Sequence, residues 1–135
     1  MGRDLGFFPV SAVKEAIAKW SPHECKDEKS YENSLYFFLH EYFPDVQITK
    51  EYAIGRTKVD INVGDEVIIE IKKDLKSTDK YDRLVGQLEE YKKWKGATII
   101  LLVGDAEPHF KKKLLNRAKE EGFFMPAFHV IEKKQ

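Results

Sequence analysis

The stretch KVDINVGDEVIIEIKK, Lys58 to Lys73, constrains the fold more than any other part of the chain. It reads as two short β-strands, rich in β-branched residues, joined across Gly64-Asp65-Glu66. Side chains alternate along a strand. Val59, Ile61 and Val63 are therefore expected on one face of the first strand, with Lys58, Asp60 and Asn62 on the other. In the second strand Val67, Ile69 and Ile71 share a face, and Ile68, Glu70 and Lys72 share the other. If the apolar faces coincide, Asp60 lies opposite Glu70, with Lys72 next along. A two-residue turn would pair Val63 with Glu66 and send Asp60 and Glu70 to opposite faces. The spacing therefore predicts a three-residue turn, Gly64-Asp65-Glu66, or an equivalent bulge.

Two carboxylates at opposed positions repel and destabilise a sheet. Lys72 is one compensating charge, and a divalent cation is a better one. Mg²⁺ takes oxygen ligands and typically uses one or two carboxylates with waters and substrate phosphate. Such a site can activate a water and stabilise charge on a phosphodiester. An ammonium beside it can position that water or neutralise the developing anion. The plainer reading of the same residues is a cross-strand ion pair on a solvated face.

The rest of the chain supplies partners for these strands. Ser11 can cap a helix from Ala12 to Trp20, with Val13, Ile17 and Trp20 on one stripe. That stripe suits either packing on the domain or a second copy of the chain. Ser30 can cap a second helix, YENSLYFFLHEYF, which Pro44 ends. Gln47 to Ala53 is a strand with Ile48 and Tyr52 on one side, and Arg56 to Val63 and Val67 to Lys73 follow. Asp79 can cap a helix reaching about Trp94, closed by Gly96. ATIILLVG is the near-continuous apolar run of a strand covered on both faces. Pro108 opens a last helix with Phe110, Leu114, Leu115 and Ala118 inward, ended by Gly122. PAFHVIEKK is a last strand. This order predicts an α/β (α+β) domain, a mixed central sheet flanked by helices.

Composition narrows the class. A chain of 135 residues, 42% of them apolar, suits one domain with a packed core. Lys and Arg total 23, as do Asp and Glu, so nucleic-acid binding would need a local patch. One cysteine, Cys25, excludes an internal disulfide and makes a reduced, cytoplasmic setting the default. The start, MGRDLGFF, lacks a secretory h-region, and Gly6 stands where N-myristoylation wants Ser or Thr. No apolar run is long enough to span a bilayer, so no membrane is expected. The four histidines lack zinc-site spacing, and no Gly-rich loop or nucleophile elbow is present.

Asp60, nine intervening residues, then Glu70-Ile71-Lys72 resembles the motif of the PD-(D/E)XK nuclease superfamily, the restriction-endonuclease-like fold. Val59 stands where many members have Pro. The family core runs helix, three-stranded meander, helix, strand, and the elements from about residue 30 to 104 match that order, with residues 1–29 as a helical extension. Glu32, followed by Leu35, looks like the metal-site glutamate that many members carry on the first core helix, with Glu28 as a rival. Its ordinary reading is a first-turn Glu favoured by the helix dipole. GQLEEY resembles the Gln-x-x-x-Tyr motif of the RecB-like and lambda-exonuclease-like branch. Gln87 and Tyr91 then share a helical face with Leu84 and Leu88. Gly86, unfavourable within a helix, would permit close approach to the sheet.

The resemblance implies metal-dependent hydrolysis of nucleic-acid phosphodiesters, with DNA the leading partner, in repair, recombination or defence. It implies that Asp60, Glu70, the Ile71 carbonyl and Glu32 hold Mg²⁺ or Mn²⁺. Lys72 would position the attacking water, and Gln87 would shape the catalytic site. Arg56, Lys58, Lys73, Lys76 and Tyr91 would meet nucleic acid, and a homodimer or larger complex would fit many relatives. Lys50, Lys80 and Arg83 lie nearby, but acidic residues are interleaved. The lysines at 92, 93 and 95 and at 111–113 read as solvated helix faces. One alternative is a catalytically inactive domain of the same fold, serving nucleic-acid or protein binding. The other is a domain whose charges are merely structural.

Overall fold

In the computed structural model, which describes residues 4–134, a five-stranded mixed sheet is flanked by four helices. In chain order the elements are α1 (Pro9–Lys19), α2 (Glu28–Tyr42), β1 (Ile48–Ile54), β2 (Thr57–Val63), β3 (Val67–Lys73), α3 (Thr78–Tyr91), β4 (Ala97–Val103), α4 (Pro108–Glu121) and β5 (His129–Lys133). The expected mixed α/β class is the one observed. The strands lie side by side in chain order. The first three form an antiparallel meander, and β4 and β5 each run parallel to the strand before. Parallel neighbours need a crossover, which α3 and α4 supply. The readings of the N-terminus as neither a leader nor acylated at Gly2 fall in part on residues 1–3, outside the described residues.

Helix starts follow local hydrogen bonding more than the first apolar residue. Pro9 stands in the first turn of α1, so the helix begins ahead of Ser11, which caps nothing there. In α2 Asp27 is the cap. The Ser30 amide donates to Asp27 Oδ1 at 2.8 Å, and the Asp27 amide donates to Ser30 Oγ at 3.0 Å. This reciprocal box puts Ser30 inside the helix and corrects its expected role as cap. Ser77, rather than Asp79, caps α3, accepting from the Lys80 amide at 3.2 Å. That helix ends at Tyr91, short of Trp94. Gly96 serves a different purpose from the expected helix stop, since a Cβ there would lie 2.5 Å from the Glu66 carbonyl oxygen. Gly86 has no neighbour within 4 Å of a Cβ, so close approach is not the reason for it.

The sheet is covered on both faces. On one side Ile69, Ile71, Ile99 and Leu101 pack against Ile17 and Trp20 of the N-terminal region and Leu35 and Leu39 of α2. The apolar stripe of α1 is thus spent on its own domain. On the other side Ile68, Ile100 and Leu102 pack against Leu84 and Leu88 of α3 and Phe110 and Leu114 of α4. Each such side chain, fully buried, contributes about 1.5–3 kcal/mol relative to exposure. Leu115 departs from the expected inner face and is 46% exposed. Phe110, Leu114 and Ala118, four apart, already fill the stripe.

The β2–β3 register is the one the parity of the sequence requires. Val63 pairs with Val67 and Ile61 with Ile69, leaving three residues in the connection. Gly64 and Asp65 take positive φ, 61° and 58°, and the Glu66 amide donates to the Val63 carbonyl at 3.1 Å. This is a two-residue turn of the hairpin type followed by a bulged Glu66.

Face sharing fails further along. Val59 packs with α3 and α4, whereas Ile61 and Val63 pack with α1 and α2. Ile48 and Tyr52, expected on one side, are likewise divided. Both changes flank one spot. Pairs Lys50↔Ile61 and Tyr52↔Val59 form, with no pair between Glu51 and Asp60. Glu51 has φ 53°. A left-handed residue within a strand re-aims side chains as a bulge does. Pairing between β2 and β3 also stops at Ile61↔Ile69. The sheet therefore opens beside Asp60.

Candidate metal centre

The opening is filled by side-chain chemistry. Asp60 Oδ2 accepts from the Ile71 amide at 2.7 Å, in place of a ladder bond. The N–H and C=O of one strand residue point to the same side. The Ile71 carbonyl therefore faces the same opening. Glu70, opposite, is 3% exposed. Its Oε1 accepts from the Tyr91 hydroxyl at 2.9 Å, and its Oε2 accepts from Gln87 Nε2 at 3.3 Å. Lys72 Nζ stands 3.1 Å from the same Oε2. Gln87 and Tyr91 reach Glu70 together because four residues along α3 bring them to one face. From the other side of the sheet Glu32 of α2, buried, comes within hydrogen-bonding reach of Asp60.

Crowding of carboxyls out of water raises their proton affinity. Burial, then the charge of Glu70 and the contact with Glu32, push Asp60 up from 3.8 to about 8, against the pull of the Ile71 amide. Glu70 is also raised by burial, despite Lys72 and the Tyr91 hydroxyl. Tyr91 in turn is raised, by burial first and then by the Glu70 charge. The site is short of positive charge. Gln87 Oε1 is buried with no hydrogen-bond partner, though a buried acceptor ordinarily has one.

These donors fit a hard divalent cation. Asp60, Glu70 and the Ile71 carbonyl offer oxygen only, the set Mg²⁺ and Mn²⁺ accept. Among the described residues no three His, Cys, Asp or Glu side chains form a group that could hold a metal ion. Glu32 and Glu70 approach Asp60 from opposite faces of the sheet. Two carboxylates with waters is the usual Mg²⁺ arrangement. The orphan Gln87 oxygen suits one such water.

The structure brings Glu32, Asp60, Glu70, Ile71, Lys72, Gln87 and Tyr91 together. It leaves the other predicted contacts apart. Arg56 and Lys58 are exposed. Lys73 is paired with Asp74 at 2.5 Å and Lys76 with Asp105 at 3.0 Å. Tyr91, expected at the nucleic-acid surface, is 1% exposed, and its hydroxyl lies 3.2 Å from the Lys58 carbonyl as well as on Glu70. It is a support for Glu70 and offers no surface. Two residues of the site were not singled out in the sequence. Lys29 Nζ lies 3.2 Å from Glu32 Oε2 and also binds the Glu51 carboxylate. The spacing Lys29–Glu32, one helical turn, was the available signal for the first contact. Nothing in the sequence marks the bend that turns Glu51 toward it.

A mixed sheet that parts between two antiparallel strands, with carboxylates and an ammonium at the gap, makes this an α+β protein with a largely buried acidic centre. Residues 15–104 match a family described as a domain of unknown function (DUF8371), and the chain belongs to that family. The matched span runs from α1 through β4 and contains every residue of the centre. No curated protein and no solved structure matches the chain. Among the described residues no helix is long and apolar enough to cross a membrane.

Proposed function

We propose that the protein is a metal-dependent nuclease, with DNA as its leading substrate. The observation that carries the reading is the placing of Asp60, held on the Ile71 amide at 2.7 Å, near enough to feel the charge of Glu70 at a break in the sheet, with Lys72 Nζ 3.1 Å from Glu70. The resemblance of Asp60, Glu70-Ile71-Lys72 and Gln87-x-x-x-Tyr91 to the PD-(D/E)XK superfamily supports it. Asp60, Glu70 and the Ile71 carbonyl would hold Mg²⁺ or Mn²⁺, with Glu32 behind Asp60. When bound, the ion supplies Lewis-acid stabilisation of charge on the phosphodiester.

The chain's own groups do the rest. Tyr91 fixes Glu70 in one rotamer through its hydroxyl. Gln87 donates to the other oxygen of Glu70, and its unpartnered Oε1 would accept from a water. Lys72, partly buried beside Glu70, orients that water and offsets negative charge as the phosphate is attacked. Arg56 and Lys58, exposed on β2 and the turn before it, would contact the nucleic-acid backbone. The reading places the protein in repair, recombination or defence, acting in the cytoplasm alone, as a dimer, or within a larger complex.

A cleavage assay tests this. Single-stranded, duplex and branched DNA are incubated with the protein in Mg²⁺ or Mn²⁺, with EDTA, Asp60→Asn and Lys72→Ala as controls. The reading predicts cutting that all three controls abolish. Cutting that survives in both variants would refute the assignment of the site.

A further inference from the structure

Two segments carry the same pattern, Gly6-Phe7-Phe8-Pro9 entering α1 and Gly122-Phe123-Phe124-Met125-Pro126 leaving α4. Phe7, Phe8, Phe123, Phe124 and Met125 are each 70% to 97% exposed, and they are five of the seven exposed large apolar side chains among the described residues. Both segments lie at one end of the sheet. The β2–β3 turn, the start of β4 and the start of β5 share that end, since Val67 pairs with Ala97 and Ile99 with His129. Leu5, buried, reaches Gly64 of that turn, where a Cβ would lie 3.0 Å from Leu5 Cδ1. The second segment leads into β5, with the Ala127 amide donating to the Ala118 carbonyl at 2.8 Å and Phe128 buried. Anchored neighbours therefore hold both aromatic pairs outward. Phe123 and Phe124 meet edge to face, with ring centroids 4.5 Å apart.

We infer that these two aromatic tips form the contact surface of a symmetric dimer of the chain. A Phe ring that leaves water buries about 150–250 Å². Four rings with Met125 offer on the order of 800 Å², what each partner of a standard-size interface contributes. That is about a tenth of the 7979 Å² surface of the chain, again the usual share. A two-fold interface uses the same patch on both copies, so one kind of chain supplies all the apolar area required. Charge disfavours the other occupants of an aromatic surface. Asp4, Asp45, Asp65 and Glu66 line the cleft beside Gly6, and Glu120 and Glu121 precede Gly122. The neighbouring Lys92, Lys93 and Lys95 are paired with Glu89, Glu90 and Asp65. Phosphates of nucleic acid or of anionic lipid would meet carboxylates here. The opening beside Asp60 lies beyond Ile61↔Ile69, away from the turn, so the dimer leaves it free and the inference does not rest on the metal reading.

Sedimentation equilibrium of the full chain, from micromolar to millimolar concentration, tests this. Wild type is expected at twice the mass of the chain. Phe8→Asp and Phe124→Asp each put a charge into the contact and should each raise the dissociation constant by about tenfold or more. Phe37→Asp changes an exposed ring of α2 beside Lys19 and Trp20, at the other end of α1, and should leave the dimer unchanged. Circular dichroism checks that each variant is folded, and the exposure of all three rings means that no core cavity is made. A wild type that stays monomeric throughout overturns the inference. So does a dimer that either tip variant leaves at wild-type affinity, or one that Phe37→Asp weakens as much. A monomer that floats with phosphatidylcholine vesicles overturns it as well and assigns the tips to a lipid surface.

Discussion

The proton on Asp60 makes stability depend on pH in a direction opposite to that of an ordinary surface carboxylate. Unfolded, Asp60 ionises near 3.8; folded, it holds its proton until about 8. Between those values the folded chain binds one more proton than the unfolded chain. Stability from this group is fully present below pH 4 and is lost as pH rises toward 8. One proton corresponds to about 1.4 kcal/mol per pH unit, so wild type loses about 2.5 kcal/mol between pH 5 and pH 7. Glu70, also raised, adds in the same sense. Asp27, Glu51, Asp74 and Glu89 are lowered, mainly by hydrogen bonds to their ionised forms, and slope the other way, but equally in a variant. His129, lowered by burial, does the same. The comparison is therefore with Asp60→Asn, which keeps an acceptor for the Ile71 amide and cannot ionise. Urea unfolding in EDTA at pH 5 and pH 7 measures both proteins. Wild type should lose about 2 kcal/mol or more relative to Asp60→Asn. Equal changes in the two proteins would refute the crowding of carboxyls at the site. Millimolar Mg²⁺, which favours the ionised pair, should shrink the difference.

Other perturbations have defined outcomes. Tyr91→Phe removes a hydrogen bond to a buried carboxylate and should destabilise by about 1.5 kcal/mol or more in urea unfolding. It should also weaken Mn²⁺ binding, measured by calorimetry, because Glu70 is no longer held. Lys72→Met removes a positive charge beside Glu70. Calorimetry should show Mn²⁺ bound at least as tightly as in wild type, while the cleavage assay shows none. Leu35→Ala, at a fully buried position on α2, should cost about 2–5 kcal/mol by urea unfolding, with residual cleavage in proportion to the folded fraction.

Much of the sheet was legible because alternation and turn length are coupled. A one-residue slip between Val63 and Val67 would have exposed a whole apolar set, so parity dictated the bulge at Glu66 before any fold was known. The run from Ala97 to Val103, apolar at every position but Thr98, announced a strand covered on both sides. The meeting of Glu70 with Gln87 and Tyr91 was legible from helical spacing and resemblance together. The bend at Glu51 and Asp60 was not. Alternation assumes one pleat throughout, and a left-handed residue breaks it without any Gly or Pro to announce it. The helix starts were misread for a related reason. Ser11, Ser30 and Asp79 are all acceptable caps; Asp27 and Ser77 win through bonds that depend on the approach of the chain, and Pro9 opens α1 by its fixed φ with no side-chain capping bond. Lys29 escaped because its partner Glu51 becomes a neighbour only through that bend.

A crystal soaked in Mn²⁺ and measured for anomalous scattering tests the central claim most directly. The account predicts one peak in the opening between β2 and β3, ligated by Asp60, Glu70 and the Ile71 carbonyl. Ordered carboxylates with no peak between them, in crystals that hold Mn²⁺ elsewhere, would contradict it.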